Sequence, residues 1–451
     1  MSHPFIPMLR LNPILPYDPA AWCCNFIWLH KQPLFLWQMA LSMKLFGVNL
    51  LALRLPSLLM GTVAVYFVYD IALRWTRDRV TALLAAVLYA FSYFQLELTS
   101  GLFSLDHNDA AFAFYVTGSF WAFVRYYRSG RLKWAVLAGL FSGAAILNKW
   151  LPGLLVYAGW GLLFVLEPGW LRSRLRWRHL GWSVLAAVAV FLPWQLYIWW
   201  RFPAEAAISY RMNTLHMMTA LEGHTGPAGY HLRMAGKLYG RFILPFLLPG
   251  LWLALAGRER RNLTAAFVFC IAVIYLFFSL LVKTKMPAFP FPVGVLVFIL
   301  IAAGLVWVFR QVAGLLRFPA SLKRAALGLL FALAAVYTLK PWQIRYERRP
   351  DNTDRNARIH DTEIFRSLPD SVVERYVIFN CNSFEDVELM FWRGGNAYHW
   401  WPEQAVWDSL KQAGCKLAAF ESHGEQQLPA YILNDPDALI IHRHLARPWQ
   451  P

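Results

Sequence analysis

The sequence predicts a polytopic α-helical membrane protein with about ten transmembrane helices and a small C-terminal extracytoplasmic α/β domain. Three observations lead there. The 451 residues are 58% hydrophobic and only 15% charged, far too apolar for a soluble globular chain of this length. The apolar runs are long enough to cross a hydrocarbon core of roughly 30 Å, which takes about 20 residues of helix. Arg-rich clusters also punctuate every second gap between those runs, while the other gaps hold a different set of polar residues.

Residues 1–55 read as an arm and not as a span. Pro4, Pro7, Pro13, Pro16, Pro19 and Pro33 exclude a long helix before Leu34. Residues 34–46 are apolar but too short to cross, and suit an interfacial helix carrying Trp37, Gln38 and Lys44. Representative spans follow at 57–73, 82–98, 180–200, 263–281, 289–309 and 325–339. The 22 Trp residues fit a chain with two headgroup belts to occupy.

The net charge of +17 is concentrated in short loops: Arg74, Arg77 and Arg79; Arg125, Arg128, Arg131 and Lys133; Arg172, Arg174, Arg176 and Arg178; Arg258, Arg260 and Arg261; Arg310, Arg317, Lys323 and Arg324. The positive-inside rule assigns such loops to the cytoplasm, next to anionic lipid headgroups. Topology and membrane lipids therefore account for the excess, and nucleic acid is excluded as a partner. With Arg74 to Arg79 inside, the arm before the first span lies outside. A Pro-rich polar arm does not cross unaided, so a further transmembrane helix is expected upstream of Met1.

From Lys340 the composition turns charged. Residues 376–380, 416–420 and 438–442 read as strands and 403–412 as a helix. The domains expected are the arm 1–55, a multi-span unit 56–340 and an α/β domain 341–451, outside after an even number of spans. Cys23 and Cys24 are adjacent, Cys270 lies in an apolar run, and Cys381 with Cys415 stays open as a pair.

The remaining gaps carry the candidate chemistry. Asp70 sits four residues before Arg74 and pairs with it on one helix face. Asp106 and Asp109 open a helix on the outer side; they are either N-terminal caps or carboxylates facing a polar cavity as base, substrate ligand or metal ligand. Lys149 closes a short apolar run, and Lys283 and Lys285 sit between two strongly apolar spans. Lysines there run against the positive-inside bias, so they either snorkel to outer headgroups or cradle a phosphate. The outer loop 202–240 carries Arg211, His216, Glu222, His224, His231 and Arg233. Its histidines lack the i, i+4 spacing of a helical metal site, so polar-substrate binding is the expected use and no metal ligand is assigned. Lys31, in His30-Lys-Gln-Pro33, presents a cation just before the interfacial helix.

Taken together these positions resemble the bacterial branch of the GT-C glycosyltransferases, which includes lipid A aminoarabinose transferases and distant relatives of protein O-mannosyltransferases. The resemblance runs over roughly residues 28–310. Lys31-Gln-Pro-Leu-Phe-Leu-Trp37 looks like the family's Lys-Pro-Pro-Leu segment, followed by Phe46-Gly47 and Arg54-Leu-Pro56. Ser104-Leu-Asp106 looks like its second acidic motif, and residues 139–153 (GLFSGAAILNKWLPG) like its glycine-rich helix ending in Lys and Gly. Phe191-Leu-Pro-Trp194, Phe278-Ser279 and Lys285-Met-Pro287 complete the series.

The resemblance implies a polyprenyl-phosphate-linked sugar as donor and a lipid, polysaccharide or protein hydroxyl as acceptor. Transfer would take place on the outer face of the plasma (inner) membrane. It assigns Asp106 and Lys31 to the reacting centre, and Lys149, Arg211, Lys283 and Lys285 to the lipid phosphate. Asp109, His216, Glu222 and His224 would contact the rest of the substrates. No cofactor is certain, and a divalent metal ion stays open. One departure stands out: the family's Asp-Glu motif after its first helix has no counterpart here. Asp18 is the only acid before Lys31 and lacks the motif's context. The expectation is therefore an active enzyme or an inactive, N-terminally truncated one. The rival class is a transporter or lipid flippase, which normally places its ionisable groups near the midplane and often repeats its halves.

Overall fold

The computed structural model describes residues 5–10, 13–15, 17–18, 25–100, 107–220, 223–381, 385–421 and 427–446, the side chains of His107 and His216 excepted. The chain forms two compact units, one of His30–Leu45 with Leu50–Lys340, the other of Met1–Leu29, Phe46–Asn49 and Pro341–Pro451. The expected arm 1–55 is thus divided between them.

The first unit is all helical: α1 (Pro33–Phe46), α2 (Leu50–Thr76), α3 (Arg79–Ala90), α4 (Tyr93–Ser100), α5 (His107–Ser129), α6 (Leu132–Lys149), α7 (Leu155–Leu166), the single turn α8 (Pro168–Leu171), α9 (Arg174–Arg201), α10 (Pro203–Met218), α11 (Tyr230–Tyr239), α12 (Leu247–Ala256), α13 (Arg258–Leu276), α14 (Gly294–Leu315) and α15 (Ala320–Leu339). Among the described residues five helices are long and apolar enough to cross a membrane, or seven if two bent pairs each count as one span. The chain is an integral membrane protein, with fewer such helices than the ten or so expected. Polar residues dilute α5, which opens on Asn108 and Asp109 and closes on Arg125 and Arg128, while α7 has only 12 residues.

Two expectations need correction. The run 82–98 is not one span: it breaks after Ala90 and bends by 49°. Ser92 starts the new helix, its hydroxyl accepting the Gln95 N–H at 3.4 Å. Residues 202–240 are not a loop either. Pro203 sits in the first turn of α10, where its missing N–H costs nothing, and Ala204, Glu205, Ala206 and Ala207 favour helix. Among the described residues there, Phe202, 219–220, 223–229 and Gly240 lie outside helices.

Small residues let helix backbones touch, the usual source of helix association in a bilayer. A Cβ on Gly139 would fall on the Ser183 carbonyl oxygen, and one on Gly143 would lie 2.5 Å from that of Ala187. These two glycines seat α6 on α9; Gly250 and Gly304 do the same for α12 and α14. Gly139→Leu is expected to destabilise the bundle by about 3 kcal/mol or more, because backbone cannot yield as a side chain does. Thermal unfolding in detergent, monitored by monodispersity, would show it; an unchanged melting temperature would contradict the packing.

The second unit holds α16 (Pro341–Glu347), α17 (Thr353–Ser367), α18 (Asp370–Val373), α19 (Asp386–Arg393), α20 (Gln404–Gln412) and α21 (Ala430–Leu433). With them lie β1 (Tyr376–Phe379), β2 (Asn396–Ala397), β3 (Lys416–Phe420) and β4 (Leu439–Ile441), paired in parallel in the order β2-β1-β3-β4. Side chains alternate between two buried faces: Val377, Phe379, Leu417 and Ala419 on one, Ile378, Ala418 and Phe420 on the other. Ile14 and Leu15 of the arm pack on the first face. Arg10 pairs with buried Asp386 at 2.7 Å and lies over Tyr398. Cys381 and Cys415 are both free thiols, Cys381 fully buried.

Candidate functional site

The alternation of charge along the sequence becomes two chemically different ends of one bundle. At the Arg-rich end, Asp70 accepts from Arg74 at 2.9 Å, Arg125 at 2.8 Å and the Trp121 indole at 2.9 Å. Asp78 pairs with Arg310 at 2.9 Å, Arg77 with Glu259, and Arg260 donates to the Thr76 carbonyl at 2.8 Å. The end of α2 and the turn after it are therefore cross-linked to α5, α13 and α14. This end has the character of a fixed base.

The opposite end is built from the start of α5, the end of α6 and the segment after α13. Asn108 and Asn148 bond reciprocally, each side-chain amide donating to the other's backbone carbonyl, at 3.1 and 2.9 Å. That exchange sets the next residues, Asp109 and Lys149, side by side as an ion pair. The Asp109 side chain is 5% exposed and that of Lys149 25%, so the lysine side chain is not sealed from its surroundings. Trp150 then turns the chain at φ 69, ψ −154, a conformation costing a bulky residue about 1–3 kcal/mol. Its ring packs 4.8 Å from Tyr210, whose hydroxyl donates to Gln195 at 2.6 Å; Gln195 donates to Gln32 at 2.9 Å. Through that relay Lys31, next to Gln32, joins the same end of the bundle as Lys149.

The third part is the tripeptide Lys283-Thr-Lys285. The Lys149 ammonium lies 5.4 Å from the Phe289 ring centroid, Phe289 stacks on Phe278 at 4.6 Å, and Lys285 donates to the Phe278 carbonyl at 2.7 Å. Lys285 also donates to Ser279 at 2.8 Å and to Val282. All three N–H groups of this buried ammonium are thus spent on carbonyls left over where α13 widens into a π turn, Phe277–Leu281. Burial, and next the Lys283 charge, lower the pKa of Lys285 from its ordinary value. Lys283 is exposed. The tripeptide is clasped along its length: Lys283 N–H donates to Met217 O at 3.3 Å, Thr284 Oγ1 to Thr219 O at 3.2 Å, and Lys285 N–H to His224 O at 2.9 Å. Buried His231 faces Ser279 Oγ at 3.3 Å beside this loop.

The structure thus brings Asp109, Lys149, Lys283, Lys285 and His224 to one end, with Lys31 joined through Gln32. Arg211 is exposed on α10, one residue after Tyr210. Asp106, Glu222 and the His216 side chain lie outside the described residues. Sequence reasoning missed Gln32, Asn108, Asn148, Gln195 and Tyr210. Gln195 and Asn148 were visible as polar residues inside apolar runs, which a membrane does not tolerate without a partner. Among the described residues no group of three or more His, Cys, Asp or Glu could hold a metal ion.

Residues 30–197 match the family model of dolichyl-phosphate-mannose-protein mannosyltransferases. The segment starts beside Lys31 and ends past Gln195, so it contains the Lys149 part of the site. Undecaprenyl phosphate-alpha-4-amino-4-deoxy-L-arabinose arabinosyl transferase from Pseudomonas paraeruginosa is 30% identical over 330 residues, which are 70% of this chain and 56% of that protein. The structure of ArnT from Cupriavidus metallidurans in the apo state superposes with a TM-score of 0.60 at 19% identity, covering 86% of this chain and 77% of that one. The chain is similar in sequence to the aminoarabinose-transferase-like branch of the GT-C superfamily and shares its fold. ArnT bound to undecaprenyl phosphate superposes equally well, with a TM-score of 0.59 at 18% identity over 89% of this chain and 80% of that one. The chain spans about half the length of the curated relatives it matches.

Proposed function

We propose that this chain moves a sugar from a polyprenyl-phosphate carrier to a hydroxyl on a lipid, polysaccharide or protein acceptor. The reaction is placed at the bundle end opposite the Arg-rich loops, the outer face of the inner membrane. The observation that carries this reading is the meeting of Lys149, Lys283 and the Lys31 segment at one end, where topology gives no reason for cations. Curated relatives named for an undecaprenyl-phosphate donor support the same class of substrate.

In the proposed step the acceptor oxygen bonds to the anomeric carbon as that carbon's bond to the phosphate oxygen breaks. The electron pair leaves on the polyprenyl phosphate, and the acceptor proton passes to a carboxylate, assigned to Asp106 just before α5. A departing phosphate is stabilised by cations already fixed in place. Asp109 holds Lys149 in that role, and Lys283, Arg211 and Lys31 supply the remaining positive charge. Lys285, saturated by carbonyls, keeps Lys283 in position. His224, with His216 and Glu222, is assigned to the sugar or the acceptor, and the reading needs no metal ion.

The test is sugar release in proteoliposomes containing the full chain, a panel of polyprenyl-phosphate-linked pentoses and hexoses, and an aminoarabinose transferase as positive control. Acceptor-dependent appearance of free polyprenyl phosphate is expected. Silence with every donor, in vesicles where the control turns over, would overturn the proposal.

A further inference from the structure

Away from this site, a cleft opens between the bend after α3, the end of α11 and the end of α15, lined by Tyr93, Phe94, Lys237, Gly240, Thr338 and Lys340. None of the residues assigned to transfer lines it. α15 closes on Lys340 at φ 49, ψ 60, the left-handed position that helices usually give to Gly or Asn. A long L side chain there costs roughly 1 kcal/mol. Its placement sends the ammonium to the Lys237 carbonyl at 3.3 Å, 5.4 Å from the Tyr93 ring centroid.

The neighbouring corner is pinned just as firmly. Gly240 has φ 96, and a Cβ there would meet the Tyr337 ring at 2.7 Å. The Phe242 N–H donates to the Tyr337 hydroxyl at 3.0 Å. The ends of α11 and α15 are therefore locked together, and two lysines are held side by side against their mutual repulsion. Glu97 is an acid whose field reaches Lys340. Capping the Lys237 carbonyl uses one N–H of Lys340, and the exposed Lys237 ammonium makes no hydrogen bond among the described residues.

What leads up to the lysines is apolar. Leu329, Leu333 and Val336 are 58%, 58% and 51% exposed, and their spacing places all three on one face of α15, which ends one residue before Lys340. An apolar ladder ending in paired ammonium groups matches an acyl chain ending in a phosphate. We propose that this cleft binds the phosphate of an anionic membrane phospholipid, whose acyl chain runs along Leu329, Leu333 and Val336. The bound phosphate bridges Lys237 and Lys340 and so staples α11 to α15. This site does not depend on the transfer reaction.

The test compares the full chain in nanodiscs of pure phosphatidylcholine and of phosphatidylcholine with increasing phosphatidylglycerol, read by retained lipid in native mass spectrometry and by melting temperature. Wild type is expected to retain phosphatidylglycerol and melt higher with it. Affinity should fall roughly fivefold for Lys237→Gln or Lys340→Asn and about twenty-fivefold for both. Lys340→Asn suits the left-handed backbone, so loss of binding there is not loss of fold, and Lys340→Arg should restore retention. Titrating inorganic phosphate in detergent separates the sources. No protection by it supports a membrane ligand; protection equal to that of the lipid overturns the acyl-chain track. Equal retention of phosphatidylglycerol by wild type and the double variant overturns the site.

Discussion

Lys149→Met is expected to cut sugar transfer by about 10²–10³-fold, the loss typical of removing one preorganised charge from a developing anion. It is also expected to destabilise the bundle by about 3 kcal/mol, since it takes the ammonium away from the Asp109 carboxylate, which is 5% exposed. The two losses have separate causes and part company in the double variant. Asp109→Leu combined with Lys149→Met removes both charges, and stability should largely return while transfer stays low. Lys149→Arg should recover part of the transfer. Donor turnover and melting temperature measured on all four proteins decide it. If the double variant regained both, Lys149 would be a strut and not a ligand of the phosphate.

The sequence shows its helices and its two chemically distinct ends, because a bilayer forces both into the one-dimensional pattern. The helix expected at 34–46 is α1, and the strand expected at 416–420 is β3. The break after Ala90 is invisible, because Tyr-Ala-Phe-Ser-Tyr carries neither proline nor glycine, and β2 is two residues long, too short to show a period. Lys149 and Lys285 stood out as charges topology could not explain. Who holds them did not: Asp109 lies 40 positions from Lys149, and Gln32 lies 163 from Gln195. Nor does a basic tripeptide announce that one lysine is buried among carbonyls and the other open to solvent. Only the widened last turn of α13 creates that difference.

That difference predicts opposite outcomes for two neighbouring lysines. Lys285→Met should act on the fold. It leaves the carbonyls of Phe278, Ser279 and Val282 without the ammonium they share, each loss costing about 1–3 kcal/mol if water cannot replace it. The π turn should loosen first, seen as faster hydrogen exchange across Phe277–Leu281 and at the clasped backbone amides of positions 283 and 285. Lys283→Met should leave exchange and melting temperature unchanged, since the side chain is exposed. It should instead weaken donor binding, raising KM several-fold with little change in kcat, as expected for a cation that meets the phosphate before and during transfer alike. Adding Lys283→Met to the Lys285 variant should not deepen the stability loss, because the two side chains act on different partners. Were Lys285→Met to bind donor poorly while keeping wild-type exchange, the saturated ammonium would have to leave its carbonyls for the phosphate, and the clasp would be the moving part of the site.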